Sequence, residues 1–165
     1  MKKGKSIILI LSLLIIDILS KEIISALVPL NHSIKIISSF FSITNVHNYG
    51  IAWSMLNGHR YLIICITTII IVVLANYLHK NNNMLKYETI SYLMIIAGSL
   101  GNLYDRIIYG YVIDFLDFNI FGYNYPIFNI ADSYIVIGII ILIIGIWRDN
   151  NDRNKSRGRR TNKNR

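Results

Sequence analysis

Two aspartates sit in short segments where polar and apolar residues meet. Asp114 lies in Val112-Ile113-Asp114-Phe115, and Asp132 in Phe128-Asn129-Ile130-Ala131-Asp132. Two carboxylates brought close cannot both ionise cheaply, so one pKa rises and one proton is shared. The ionised member can take a proton from water, and the protonated member can donate to a peptide carbonyl oxygen. Those are the base and acid of peptide hydrolysis without a metal. Such a pair titrates as one unit. Taken singly, Asp132 also reads as a charge favoured by a helix N-terminus, and Asp114 as a solvated loop residue. The chemistry therefore depends on their convergence. Asp117, three residues from Asp114, reads as loop surface.

Other polar residues fall inside apolar stretches, where they are costly and point to function. Asp17 and Lys21 are four apart, share a helical face and can pair. They either orient a site or form an interhelical salt bridge that fixes packing. Ser91, Gly98, Asn102 and Asp105 make one polar stripe, and Asn102 and Arg106 also share a face. The stripe reads either as site lining or as a hydrogen-bonded seam. Gly98 and Gly101 allow close helix approach. Arg106 falls near a helix end, where snorkelling to water is easy. Asn129 shares a face with Asp132 if the helix has begun there. The four histidines (His32, His47, His59, His79) show no ligand spacing, so no metal and no cofactor are expected. Cys65 has no partner for a disulfide.

The elements that must position these residues follow from composition. The 165 residues are 53% hydrophobic and 16% charged, with a net charge of +8 and a mean hydropathy of +0.46. Disorder is excluded by the apolar content. Four apolar stretches, about 6–28, 61–78, 89–108 and 130–147, approach the roughly 20 residues that cross a bilayer as a helix. Segments 1–5, 79–87 and 148–165 hold 13 Lys and Arg against two Asp, a net +11. The rest holds four cations against seven acids, a net −3. The positive-inside rule puts the three basic segments in the cytoplasm. Four spans with both ends inside follow, and loops 29–60 and 109–129 then face outward. Asp114 and Asp132 thus meet at one membrane face. The N-terminal Lys2, Lys3 and Lys5 before Ser6–Ile16 mimic a cleavable leader, but Asp17 and Lys21 interrupt it and no small-x-small site follows. A retained first span is expected. Alternation in Ser33–Thr44 favours short strands, and Asn48-Tyr49-Gly50 signals a turn. Leu116–Ile127, rich in aromatics, reads as a lid or amphipathic loop. The tail from Arg148 is expected to lack structure.

Five motifs in order resemble those of the lipoprotein signal peptidase (signal peptidase II) family. They are Asp17-x-x-Ser20-Lys21, Asn48-Tyr49-Gly50-Ile51-Ala52-Trp53-Ser54, Ala97-Gly98-Ser99-Leu100-Gly101-Asn102-Leu103-Tyr104-Asp105-Arg106, Val112-Ile113-Asp114-Phe115 and Phe128-Asn129-Ile130-Ala131-Asp132-Ser133. The resemblance implies an all-α membrane protein of four spans with a small extracytoplasmic β-cradle. It also implies an aspartic peptidase of the bacterial cytoplasmic membrane, inhibited by globomycin. The substrate it implies is a diacylglycerated prolipoprotein cut just before its modified cysteine. Asp114 and Asp132 match the catalytic pair. Asn48, Asn102, Arg106 and Asn129 match residues that line the substrate site. Asp17, Lys21, Gly101 and Asp105 match supporting positions. Departures at Ile18, Trp53, Ser54 and Ala97 leave the aspartates and asparagines untouched. A monomer among membrane lipids is expected.

The competing class is a small proton- or ion-coupled transporter, with Asp17, Lys21, Asp105 and Arg106 as a relay. A relay needs acids spread across the bilayer, whereas the two key aspartates cluster at one face. Nucleic acid is not an expected partner: the basic tail has no aromatic after Trp147 for base stacking, and proximity to anionic headgroups explains it better.

Overall fold

The structure is a computed structural model that describes residues 3–51, 55–81 and 84–163, with side chains placed for 4–149 within those ranges. Ala52-Trp53-Ser54 of the second motif, and Asn82-Asn83, lie outside the described residues. The elements run α1 (Lys3–Leu27), β1 (Ser33–Ile37), β2 (Phe41–Asn48), α2 (Arg60–Lys80), α3 (Lys86–Ile108), β3 (Val112–Ile120), β4 (Tyr123–Asn124) and α4 (Ile130–Lys163).

Each apolar stretch becomes a helix, with ends set by local signals. Pro29, which has no backbone N–H to continue the ladder, follows α1. Glu88 at the third position of α3 accepts the backbone N–H of Leu85 at 2.9 Å and closes its first turn. Two helices, Arg60–Lys80 and Ile130–Asp149, are long and apolar enough to cross a membrane by composition. The other two carry ionisable residues on their packed sides, which lowers their hydropathy. Unexpectedly, α4 stays helical to Lys163 where an unstructured tail is expected from Arg148. No proline interrupts this stretch, and Arg and Lys are good helix formers.

Helix α3 is central and packs against α1, α2 and α4, most extensively against α4. This is why its polar stripe is tolerated: Ser91, Gly98, Asn102 and Asp105 are buried against protein. Close approach needs the absence of side chains. A Cβ on Gly98 would collide with the backbone carbonyl of Ala131 and with Ile135. One on Gly101 would collide with the carboxylate of Asp17. Replacing Gly98 by Ala is therefore expected to cost about 1–3 kcal/mol through overpacking. It should appear as a lower Tm in detergent than that of Gly4→Ala, where nothing lies within 4 Å.

A four-stranded antiparallel sheet of order β1-β2-β3-β4 sits beside the helices. The expected strands in 33–44 are present as the β1–β2 hairpin. The expected lid over Leu116–Ile127 is instead largely sheet, so the architecture is richer in β-structure than "all-α" conveys. β3 runs to Ile120, turns at Phe121-Gly122 and returns as β4. Its partner is β2, 64 or more residues away, which no local periodicity reveals. Asp117 is correspondingly not loop surface: it pairs with Ser42 in the register and accepts a 2.7 Å hydrogen bond from Thr44 Oγ1.

Candidate active site

The β2–β3 register brings the first aspartate to its neighbours. Val46 is opposite Asp114, and Asn48 is opposite Val112. Residues two apart share a sheet face, so Asn48 and Asp114 meet, with Asn48 Nδ2 donating to Asp114 Oδ2 at 2.8 Å. The backbone N–H of Gly50 donates to Asn48 Oδ1 at 2.9 Å, an Asx-turn that accounts for the Asn-Tyr-Gly signal.

The second aspartate arrives at the start of α4. Asn129 is the residue before the helix, and its Oδ1 accepts the backbone N–H of Asp132 at 2.9 Å. In return its own N–H donates to Asp132 Oδ2 at 3.2 Å. This reciprocal pair is an N-cap, with a carboxylate where the helix dipole favours it. Asn129 is completely buried. Its Nδ2 donates to Asp114 Oδ1 at 2.7 Å and to Asn102 Oδ1 at 3.0 Å. Asn102 Nδ2 donates to Asp132 Oδ1 at 2.7 Å. The two aspartates, expected to converge, are thus joined through Asn129 and Asn102.

Behind this ring lies an ionic layer. Lys21 Nζ lies 2.8 Å from Asp17 Oδ2, 2.9 Å from Asp105 Oδ2 and 3.1 Å from Asn102 Oδ1. Asp17 Oδ1 accepts the backbone N–H of Ala131 at 2.9 Å, tying α1 to the first turn of α4. Asp105 accepts the N–H of Ile113 at 3.3 Å, tying α3 to β3. The two readings of Asp17 and Lys21 therefore coincide: the bridge fixes packing and supports the site. The supposed transporter relay is gathered in this layer beside the aspartates. Arg106 does not snorkel. It is buried, donating to Asn102 O at 3.2 Å and to Gly50 O at 2.5 Å. The turn after β2 folds over the end of α3 and supplies that acceptor. Sequence reasoning missed Gly50 as Arg106's acceptor and Ala131 as Asp17's partner, because both act through backbone atoms that any residue type supplies.

A cavity of about 760 Å³ opens at this ring. Asn48, Asn102, Arg106, Asp114 and Asp132 line its polar end, and Ile63, Ile70, Ile95 and Ile139 its apolar walls. Asp114 lies in β3, outside the helices. Burial and then the charge of Asp132 push its carboxyl up to about 7, against the hydrogen bonds from Asn48 and Asn129 and the charge of Lys21. A carboxyl held near neutrality beside a second carboxyl can serve as proton donor while its neighbour serves as acceptor.

Long apolar helices around a carboxylate pair, Asp114 buried and Asp132 partly so, at the polar end of an apolar cavity, are the frame of a membrane enzyme. The family model for Signal peptidase (SPase) II matches residues 9–148. The chain belongs to the signal peptidase II family. It is 38% identical over 148 residues to a lipoprotein signal peptidase of Staphylococcus haemolyticus, covering 90% of this chain and 94% of that one. It is 38% identical over 150 residues to one from Staphylococcus aureus, covering 91% and 92%. A solved bacterial membrane enzyme superposes with a TM-score of 0.85 at 37% identity, covering 92% of each chain.

Proposed function

We propose that this member of the family is a membrane aspartic endopeptidase with Asp114 and Asp132 as its base–acid pair. It removes the signal peptide from diacylglycerated prolipoproteins by cutting before the lipid-modified cysteine. The observation that carries the reading is Asn129, which is bonded to both aspartates at the polar end of the cavity. In the reaction the ionised carboxylate takes a proton from water, whose oxygen attacks the scissile carbonyl carbon. The protonated carboxyl donates to the carbonyl oxygen, giving a neutral diol. Collapse of the diol breaks the C–N bond: one diol hydroxyl gives its proton to the ionised carboxylate while the protonated one donates to the leaving nitrogen, which restores the pair. Asn48, Asn102 and Asn129 hold the carboxylates in line. Arg106 lines the cavity with N–H groups to spare for a substrate carbonyl.

All four helices span the bacterial cytoplasmic membrane in this reading. The +11 and −3 division of charge supports cytoplasmic termini and an extracytoplasmic site. The chain acts as a monomer. The substrate's acyl chains remain in lipid, and globomycin occupies the cavity.

The test is cleavage of a diacylated lipobox peptide by the purified chain. The diacylated peptide is expected to be cut in a globomycin-sensitive manner, and its unmodified counterpart left intact. Activity should fall as pH rises through about 7, the value to which Asp114 is pushed beside Asp132, because the pair then loses its shared proton. An uncut diacylated peptide, or cleavage indifferent to globomycin, overturns the reading.

A further inference from the structure

Each asparagine in the ring has an amide that could be turned either way, and each is oriented by a group that can only donate. The backbone N–H of Gly50 faces Asn48 Oδ1. The backbone N–H of Asp132 faces Asn129 Oδ1. The ammonium of Lys21 faces Asn102 Oδ1, which also accepts from Asn129 Nδ2. With their oxygens engaged, the amide nitrogens point at carboxylates: Asn48 and Asn129 at Asp114, Asn102 at Asp132. Two of these locks are main chain. The third is a charged side chain, 1% exposed, from α1, which contributes no residue to the cavity lining.

We propose that Lys21 is a positioning residue of the peptidase reaction, turning the Asn102 amide toward Asp132 and holding a positive charge behind the aspartate pair. The inference rests on the aspartic reading of the site. The charged groups around Lys21 are Asp17 on its own helix, Asp105 on α3, Asp114 on β3 and Asp132 on α4, and Arg106 on α3 is a second cation facing the pair. Asp17 and Asp105 accept from the ammonium directly. They keep it buried and aimed. A cation behind the pair weakens its hold on the shared proton. Loss of the cation makes the pair hold that proton to higher pH, and loss of an anion beside the cation does the reverse.

The experiment compares Lys21→Met and Asp105→Asn in the full-length chain, using the diacylated lipobox peptide. Lys21→Met keeps the volume and removes donor and charge. It is expected to lower kcat on the order of tenfold with KM unchanged, as loss of an orienting partner does. Its pH–rate profile should move to higher pH, and that of Asp105→Asn to lower pH. A merely structural role would reduce the amount of inserted enzyme and leave the profile of the surviving molecules in place. Coincident profiles in the inserted variants overturn the proposal, and Asp105→Asn carries the test if Lys21→Met fails to insert. If Asp114→Asn or Asp132→Asn retains cleavage, the aspartic reading fails first. If both are inactive while the profiles coincide, only the role of Lys21 falls.

Discussion

Asp114→Asn and Asp132→Asn are each expected to abolish cleavage of a diacylated prolipoprotein peptide, by about 10³-fold or more in kcat/KM, with the protein still inserted. An amide replaces a carboxyl with nearly the same shape, so packing is preserved while the proton traffic stops. At Asp114 the Oδ atoms accept from Asn48 and Asn129. An amide there keeps one acceptor and turns a donor toward another donor, which also disturbs the ring. At Asp132 the same conflict arises with Asn102 and the N–H of Asn129. The two single variants should be about as inactive as the double variant, because the pair works as a unit. Single-turnover assays on inserted, monodisperse protein check this. Near-parental cleavage by either variant would remove the pair from the mechanism.

Asn129→Ala is expected to have the next largest effect, a loss on the order of 10- to 100-fold in kcat/KM. This side chain touches Asp114, Asn102 and the backbone of Asp132 and is wholly buried. Its removal leaves buried partners such as Asp114 and Asn102 without a hydrogen bond, at about 1–3 kcal/mol for each unsatisfied group. The helix also loses its cap, typically worth about 1 kcal/mol. Activity and Tm should therefore fall together. Asn129→Asp retains the cap and places a third carboxylate against the pair. It is expected to keep more of the Tm than Asn129→Ala and to lose at least as much activity. A variant at this position with lowered Tm and parental kcat/KM would show that Asn129 serves the fold alone.

Much of this architecture is legible in the chain because it depends on short-range pattern. Helix positions follow from apolar runs, since a helix satisfies its own backbone wherever the side chains are apolar. The Asp17–Lys21 bridge follows from four-residue spacing within one helix. The stripe through Asn102 and Asp105 faces inward because α3 is surrounded, though its spacing alone leaves seam and site undecided. The rest was beyond reach for reasons equally physical. The β3 strand around Asp114 exists because β2 pairs with it, and that register is set by contacts far apart in sequence. Taken alone, Leu116–Ile127 has the composition of a lid. Arg106 has the composition of a snorkelling cation at a helix end, and only the Gly50 turn laid over it makes it buried.

Residue order alone specifies which segments are apolar, where the positive charge accumulates, and which two aspartates flank the segment before the final helix. Those properties reside in residue type and spacing. How the aspartates are held depends on the packed fold. Asn102, Asn129 and Asn48 must each turn an amide nitrogen to a carboxylate, and each turns because a donor-only group occupies its oxygen. Lys21 does this for Asn102 across 81 residues of chain, together with the Asn129 amide. Long-range bonds of that kind leave no periodicity behind, because they form only once the helices have packed.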